Sequence, residues 1–195
     1  MKAEKKVIAI VPARGGSKSI KNKNLCIFNG KPLIKWTLDI AKKSKCFSKI
    51  IVSSDDANIL DYCKQQNVIT HLRDKSIAQD STPMEKVIFD VLTTEGYVEN
   101  NEYFMLLQPT SPLRTKKHIS NCIDRVHSEK IDSIVSITNE DNSSLKWLMA
   151  SENDFKPIIS YEYLTKNRQE LPRVYRPNGS IYTKRIDSFL KTKKL

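Results

Sequence analysis

The chain has 195 residues, 39% hydrophobic and 28% charged, a composition typical of a globular protein with a buried core. The sequence contains no run of about 18 apolar residues, so no membrane-spanning helix and no membrane partner are predicted. The formal net charge of +11 favours anionic ligands. The lysines are scattered, however, and no nucleic-acid-binding motif accompanies them, so nucleic acid is not the expected partner.

Short apolar runs alternate with helical periodicity along most of the chain. The predicted strands cover residues 7–11, 49–53, 68–71, 103–107, 132–138 and 178–183. Between them, apolar residues recur at helical spacing, as in Ile34, Leu38 and Ala41. This alternation predicts right-handed crossovers and an α/β fold with a doubly wound, mainly parallel sheet.

Several residues next to these elements have predicted local roles. Pro32 can occupy the first turn of a helix, and Asp55 or Asp56 can cap the helix after the second strand and is a better cap than ligand. The sequence Thr82-Pro83-Met84-Glu85 predicts a capping box with proline at the first helical position. The histidines, which are His71, His118 and His127, are predicted to face solvent.

The cysteines indicate the compartment. They lie far apart without any C-x-x-C spacing, at Cys26, Cys46, Cys63 and Cys122. This pattern is typical of reduced, mostly buried thiols, and Cys26 is expected to be buried beside its apolar neighbours. The N-terminus has a basic start but only a short apolar segment, which is not typical of a signal peptide, so a cytoplasmic location is expected.

Three polar loops follow predicted strands, over residues 13–24, 73–81 and 108–114. Because ligands of parallel sheets bind outside the carboxyl ends of the strands, we expect the loops to converge on one face. The first loop combines glycines, hydroxyls and cations, which is typical of a phosphate site, although a solvated basic loop is the alternative. It matches neither the Walker pattern nor G-x-G-x-x-G.

Residues 139–177 mix aromatics, prolines and charges without clear periodicity, which indicates an excursion rather than another strand–helix unit. We therefore expect a single domain over residues 1–195, with residues 139–177 as that excursion.

Four motifs together resemble one family. PARGGSKSIKNKNL, SSDD, LLQPTSPLR and RPNGSIY occur in this order, and the chain resembles the acylneuraminate cytidylyltransferases, or CMP-sialic acid synthetases, from about Val7 to about Tyr182. The resemblance implies a Rossmann-like nucleotidyltransferase fold and a homodimer in which residues 139–177 are the dimerisation excursion. It also implies a reaction in which the anomeric hydroxyl of a nine-carbon 2-keto sugar acid attacks the α-phosphorus of CTP. Pyrophosphate leaves and a CMP-sugar forms, with Mg²⁺ assisting.

The resemblance assigns nucleotide contacts to the loops after the first and third strands. Arg14, Lys18 and Lys23 are the expected catalytic residues. The expected nucleotide-binding residues are Pro12, Ala13, Arg14, Ser17, Lys18, Lys23, Asn24, Arg73 and Asp80. Of these, the backbone of residues 12–14 is expected near the cytosine. Arg73 could instead be an ordinary surface arginine.

The resemblance places the sugar acid at the later motifs. The expected contacts are Gln108, Arg168, Arg176, Asn178 and Tyr182. An arginine suits the substrate carboxylate. As alternatives, Gln108 and Asn178 could bond loop backbone, and Arg168 could be a surface arginine. The motif QPTSPLR is more similar to that of sialic- and legionaminic-type members than to that of pseudaminic-type ones.

One departure from the family pattern concerns the metal. In the family a pair of aspartates that binds Mg²⁺ follows RPNG(S/A)IY, and Ile186-Asp187 comes too soon after Tyr182 to be that pair. The C-terminal end is therefore expected to be short relative to the family, and the metal ligands are unknown. The alternative function is a catalytically inactive nucleotide-binding homologue that lacks the metal-binding segment.

Overall fold

The computed structural model describes residues 6–17, 20–94, 96, 98 and 101–195, and the chain divides into two units. The first unit comprises Met1–Ser136 with Gly179–Leu195, and the second comprises Ile137–Asn178. The strands are β1 (Val7–Pro12), β2 (Ile27–Phe28), β3 (Lys31–Pro32), β4 (Lys49–Ser54), β5 (Ile69–Leu72), β6 (Tyr103–Leu106), β7 (Ser133–Glu140), β8 (Leu148–Ser151), β9 (Asp154–Pro157) and β10 (Val174–Arg185). The α-helices are α1 (Leu33–Ser44), α2 (Ala57–Gln65), α3 (Met84–Thr93), α4 (Lys116–Ser128), α5 (Tyr161–Thr165) and α6 (Ile186–Thr192).

The main sheet has six strands in the order β5-β4-β1-β6-β10-β7. Neighbouring strands from β5 to β6 run parallel, with Ile10 opposite both Ile51 of β4 and Leu106 of β6. Strand β10 is antiparallel to β6 and lies between it and β7. The predicted α/β fold with a mainly parallel sheet is therefore confirmed. The position of β10 inside the sheet was not predicted, because alternation along the chain gives no signal for a strand that returns from an excursion.

The two faces of the sheet bury different helices. In β1, Val7, Ala9 and Val11 join one apolar cluster, and Ile8 and Ile10 join the other. The first cluster includes residues of α1, α2 and α4, and the second includes residues of α3 and α6. Successive side chains of a strand point to opposite faces, so a continuous apolar run is what a strand covered on both sides needs. The sheet is doubly wound, as predicted.

The starts of three helices show how a proline at the N-cap position changes the capping. Asp56 caps α2, since its carboxylate accepts hydrogen bonds from the backbone N–H groups of Asn58 (2.8 Å) and Ile59 (3.3 Å). The predicted capping box at Thr82 is wrong. Pro83 itself occupies the N-cap position of α3 with an extended backbone, so Thr82 lies one residue too far from the helix to cap it. Pro32 stands in the same way before α1.

Two predicted environments are wrong as well. His71 is only 7% exposed, because its side chain extends from β5 toward Ser53 and Asp90 instead of toward solvent. Cys26 is exposed and immediately precedes the short β2–β3 hairpin, whose first strand is itself exposed. The exposure predicted for His118 and His127 is confirmed. Among the described residues no helix is both long and apolar enough to cross a membrane.

A matched pair of leucines tests the position of the core. Leu106 is completely buried between the sheet and the α3–α6 layer, whereas Leu113 is 85% exposed. We expect Leu106→Ala to lower the free energy of unfolding by about 2 to 5 kcal/mol, because the lost contacts leave a cavity. Leu113→Ala should change it by less than about 0.5 kcal/mol. Urea denaturation of both variants measures the difference, and equal losses would contradict the described core.

Candidate functional site

The carboxyl ends of four parallel strands form one edge of the sheet. The loops that leave this edge begin after Pro12 of β1, Ser54 of β4, Leu72 of β5 and Leu106 of β6. They include the three polar loops that the sequence predicted to converge. Hydrogen bonds and an ion pair join the loops after β1, β4 and β5, and Arg114 joins the loop after β6 to α1 and β10.

The glycine loop is held by two consecutive aspartates. The backbone N–H of Gly15 donates to Asp55 Oδ1 at 3.0 Å. The backbone of Gly15 also passes so close to Asp56 that a Cβ on residue 15 would lie 2.5 Å from Asp56 Oδ2. Asp55 therefore anchors the loop, while Asp56 caps α2 and leaves no space for a side chain. A glycine is needed here because the loop backbone approaches the Asp56 side chain closely.

Asn24 closes the far end of this loop. Its side chain is buried, and its amide Nδ2 donates to the carbonyl of Arg14 at 2.9 Å. Its own carbonyl accepts the N–H of Ile34 in the first turn of α1 at 2.9 Å. Asn24 thus connects the start of the loop to a helix. Ser17 and Lys23 are half-buried between these anchors, and Lys18 lies outside the described residues.

Arg73 is a buried arginine bound to Ser53. Its Nε donates to Ser53 Oγ at 3.1 Å, and its Nη2 donates to the Ser53 carbonyl at 2.7 Å. The same carbonyl accepts the N–H of Ala13 at 2.9 Å. Burial lowers the pKa of Arg73, and the charges of Asp55 and Asp90 partly oppose this effect. The alternative of an ordinary surface arginine is therefore wrong, since only 4% of Arg73 is exposed.

Arg14 and Asp80 join the first loop to the loop after β5. The guanidinium of Arg14 forms an ion pair with the Asp80 carboxylate, and both side chains remain partly exposed. This contact brings the first two polar loops together. It also leaves the Arg14 side chain at the surface of the site, where an anion can reach it.

Arg114 organises the third loop. Its guanidinium is buried and donates to the carbonyls of Gln108 (2.9 Å) and Ser180 (2.8 Å) and to the hydroxyl of Thr37 (3.3 Å). Burial lowers the pKa of Arg114 to about 10, which leaves it charged at neutral pH. Gly179 packs closely here, since a Cβ would lie 3.2 Å from Gln108 Oε1 and its φ of +73° favours glycine.

The remaining predicted sugar-acid residues lie in two places. Tyr182 of β10 is partly buried and packs on the α3–α6 side of the sheet, opposite Leu106. Within the second unit, the guanidinium of Arg168 donates to Asp141 at 3.1 Å and that of Arg176 donates to Glu140 at 2.7 Å. In the same unit, the amide of Asn178 donates to the hydroxyl of Thr138 at 3.1 Å.

The carboxylates at the sheet edge are already engaged by the protein. Asp55 accepts from Gly15, Asp56 caps α2 and Asp80 pairs with Arg14. The part of the chain that the structure describes contains no group of three or more histidine, cysteine or acidic side chains placed to hold a metal ion. These residues therefore do not fit a metal site built by protein ligands.

Sequence reasoning missed three residues of this edge. The sequence pattern predicts Ser53 only as the end of a strand and Asp55 only as a helix cap. Arg114 is only the last residue of a motif. The signal that could have found Asp55 is the pair of aspartates after a strand, because one residue suffices to cap a helix. A buried arginine such as Arg114 has no sequence signature beyond its proximity to a proline-rich loop.

Solved structures with similar folds are nucleotidyltransferases. CMP:2-keto-3-deoxy-manno-octonic acid synthetase in complex with CTP superposes with a TM-score of 0.72 and 16% identity over 95% of this chain and 76% of that chain. The 4-diphosphocytidyl-2C-methyl-D-erythritol synthase of Anaerococcus prevotii superposes with a TM-score of 0.66 and 16% identity over 96% of this chain and 74% of that chain. At this identity the likeness shows the fold alone, which is the α/β fold that these two synthases share.

The sequence comparisons give the family. The model of the cytidylyltransferase family matches residues 8–192, and the chain belongs to this family. The N-acylneuraminate cytidylyltransferase of Streptococcus agalactiae serotype V is 32% identical over 96% of this chain and 45% of its own length. The CMP-N,N'-diacetyllegionaminic acid synthase of Legionella pneumophila is 33% identical over 91% of this chain and 77% of its own length. The predicted resemblance is confirmed, although the chain spans less than half the length of the streptococcal relative.

The two glycines of the first loop provide a matched test of this geometry. Neither has a left-handed backbone, but a Cβ on Gly15 would overlap Asp56, whereas a Cβ on Gly16 would meet nothing within 4 Å. We expect Gly15→Ala to destabilise the protein by about 1 to 3 kcal/mol through overpacking. Gly16→Ala should be neutral within about 0.5 kcal/mol. Thermal unfolding of both variants decides this, and equal stability would show that the loop does not approach Asp56.

Proposed function

We propose that this chain is a cytidylyltransferase that joins CTP and an acylneuraminate-type sugar acid to give a CMP-sugar and pyrophosphate. The observation that carries the proposal is the glycine loop, anchored on Asp55 and Asn24, which presents the partly exposed guanidinium of Arg14 at the carboxyl edge of a parallel sheet. Ligands of such sheets bind at this edge. Membership of the family supports the same reaction.

In this proposal Arg14, Lys18 and Lys23 act on the triphosphate. Transfer of a nucleotidyl group adds charge to the oxygens around the α-phosphorus, so catalysis depends on positioning and on nearby cations. Asn24 holds the Arg14 backbone, so the point from which the Arg14 side chain extends is fixed. Ser17 lies between the same anchors and supplies a hydroxyl that can donate to a phosphate oxygen.

Other residues of the nucleotide set have supporting roles. The Ala13 N–H donates to Ser53 and the Arg14 carbonyl accepts from Asn24, so these backbone groups fix the loop beside the expected base site. Pro12 ends β1 at the same point. A carboxylate repels phosphate, so Asp80 acts by orienting Arg14 rather than by binding the triphosphate. Buried Arg73 contributes positive charge to the same edge.

For the sugar acid we propose a nonulosonic acid of the sialic or legionaminic type. The relatives named above are an N-acylneuraminate cytidylyltransferase and a CMP-N,N'-diacetyllegionaminic acid synthase. Gln108 and Tyr182 in the first unit, and Arg168, Arg176 and Asn178 in the second, are the proposed contacts. The ion pairs of Arg168 and Arg176 are exposed and contribute little stability, so a substrate carboxylate can replace Asp141 or Glu140.

We also propose a homodimer through the second unit. The hairpin of β8 and β9 is exposed on both faces, and a lone two-stranded sheet is marginally stable in water. Its unit carries large exposed apolar side chains, which include Trp147, Leu148, Met149, Phe155, Ile158, Ile159 and Tyr161. A second copy of the chain would cover them and supply the missing layer.

Mg²⁺ and the cytoplasm complete the proposal. The described residues do not form a protein-built metal site, and we propose that Mg²⁺ arrives with the triphosphate, whose oxygens are ligands it prefers. The free thiols of Cys26, Cys46, Cys63 and Cys122 favour a reducing compartment and hence a cytoplasmic protein.

Pyrophosphate release tests the reaction and the role of Arg14 together. With CTP, Mg²⁺ and either N-acetylneuraminic or N,N'-diacetyllegionaminic acid, we expect turnover by the 195-residue chain. Arg14→Ala should lower kcat/KM by about 100-fold or more, because a charge that stabilises the transition state is lost. Arg125→Ala is the control, since Arg125 is exposed on α4 and pairs with Glu129.

Each outcome of that assay has one meaning. Unchanged turnover in Arg14→Ala would remove Arg14 from the catalytic set. CTP binding by calorimetry without pyrophosphate release at any Mg²⁺ concentration would favour the inactive nucleotide-binding homologue. Absence of CTP binding as well would overturn the proposed function altogether.

The dimer has its own test. Phe155 is 64% exposed on β9, and Phe155→Glu places a charge on the surface that a second copy would bury. We expect sedimentation velocity to show a dimer for the unmodified chain and a monomer for this variant. Leu72→Glu is the matched control, because Leu72 is 73% exposed in the first unit. A monomeric unmodified chain would refute the proposed dimer.

A further inference from the structure

A chain of polar contacts runs from Arg73 through buried Ser53 and His71 to the partly exposed Asp90. Arg73 Nε donates to Ser53 Oγ at 3.1 Å, and Ser53 Oγ lies 3.0 Å from His71 Nδ1. On the other side of the imidazole ring, His71 Nε2 lies 3.4 Å from Asp90 Oδ2 of α3. Ser53 is completely buried, and Arg73 and His71 are nearly so. The contacts thus form one sequence, Arg73–Ser53–His71–Asp90.

The donors and acceptors of this sequence have one consistent assignment. A guanidinium has no acceptor, so Ser53 Oγ accepts from Arg73 and its own hydroxyl proton is left to donate. The neighbouring acceptor is the Nδ1 of neutral His71. The ring proton is then on Nε2, where it faces the carboxylate of Asp90. This tautomer satisfies each of these groups.

Electrostatics keep the imidazole neutral. Burial is the largest effect and lowers the pKa of His71 from its ordinary value of 6.5. The charge of Asp90 on α3 raises this pKa, and the charge of Arg73 beside β5 lowers it. The net direction is downward, so His71 is neutral at neutral pH and can accept the Ser53 proton.

We propose that His71 and Asp90 are positioning residues, which fix the Ser53 hydroxyl so that its oxygen accepts from Arg73 at the nucleotide edge. The inference rests on the proposed function, in that Arg73 borders the bound nucleotide. Neither His71 nor Asp90 touches substrate in this role. Their effect reaches the site because the Ser53 carbonyl holds both Arg73 Nη2 and the Ala13 N–H, where the glycine loop begins.

Acid changes the bonding in this sequence. A proton on His71 Nδ1 converts it from an acceptor into a donor, so the Ser53 hydroxyl proton loses its acceptor and Ser53 Oγ must accept from both Arg73 and His71. A second positive charge also appears beside buried Arg73. Because the folded-state pKa of His71 lies below 6.5, the unfolded chain binds this proton more readily. The contribution of His71 to stability is therefore lost as the pH falls from about 6.5 toward the lowered pKa.

Two substitutions at residue 71 separate positioning from packing. His71→Asn places an amide oxygen near the position of Nδ1 and keeps an acceptor that does not titrate. His71→Phe fills the ring volume but has no acceptor. His127→Asn is the matched control, since His127 is exposed on α4. Steady-state kinetics give KM for CTP and kcat for all three variants and for the unmodified chain, from pH 5.5 to 8.

We expect His71→Phe to raise KM for CTP by about 3- to 10-fold, which corresponds to the free energy of one neutral hydrogen bond. The value of kcat should change by less than about 2-fold. His71→Asn should restore KM at neutral pH and abolish the rise in KM that the unmodified chain shows in acid. The protonation of CTP itself affects every variant equally, so the difference between the curves belongs to His71. Equal KM values for the Asn and Phe variants, or an acid rise that persists in His71→Asn, would overturn the proposal.

A spectroscopic readout works without turnover. Nitrogen NMR of the imidazole should show an unprotonated Nδ1 and a protonated Nε2 at neutral pH, and hydrogen exchange of Arg73 Nε–H should accelerate in His71→Phe but not in His71→Asn. If CTP fails to bind while these signals appear, the proposed function is wrong, but the proposed positioning of Ser53 by His71 and Asp90 is supported. The opposite tautomer, with the proton on Nδ1, would overturn the proposed positioning of Ser53 whether or not CTP binds.

Discussion

The buried Ser53 is the point on which the candidate site depends. Its carbonyl accepts from the backbone of Ala13 and from the guanidinium of Arg73, and its hydroxyl bonds both Arg73 and His71. One residue at the carboxyl end of β4 thus fixes the loops that follow β1 and β5. Buried polar networks are stabilising only when each member is satisfied, so a change at any one of these groups is felt at the others. The geometry of the edge is therefore set by buried groups that lie beneath its surface.

Two buried arginines connect the loops of this edge to neighbouring elements in comparable ways. Arg73 joins the loop after β5 to Ser53, and Arg114 joins the loop after β6 to Ser180 of β10 and to Thr37 of α1. Burial of a guanidinium is costly, as the lowered pKa of both groups indicates, and several carbonyl and hydroxyl acceptors offset that cost. A planar group with five donors is the side chain that can bond several loop carbonyls at once. This explains why arginines rather than lysines hold the two loops.

The sequence predicted the elements and the edge where the loops meet, because strands covered on both faces and amphipathic helices leave strong periodicities. The contacts within the edge were harder to predict. Asp55 and Asp56 are chemically identical neighbours, and only the path of the loop decides that one binds Gly15 and the other caps α2. The burial of His71 depends on Asp90, which is 19 positions away in sequence and comes into contact only when α3 packs on the sheet. Thr82 failed as a cap because proline shifted the helix start by one residue.

The charges of both units share a further property. Arg14 pairs with Asp80 in the first unit, and Arg168 and Arg176 pair with Asp141 and Glu140 in the second. These ion pairs are partly or largely exposed, so each is weak and can be exchanged for another anion at little cost. A triphosphate brings more charge than a single exposed aspartate, and its oxygens can accept two hydrogen bonds from one arginine. The net charge of +11 favours anionic ligands in general. The exposed pairs are therefore the exchangeable contacts, while Ser53 and the buried arginines fix the shape of the sheet edge in the first unit.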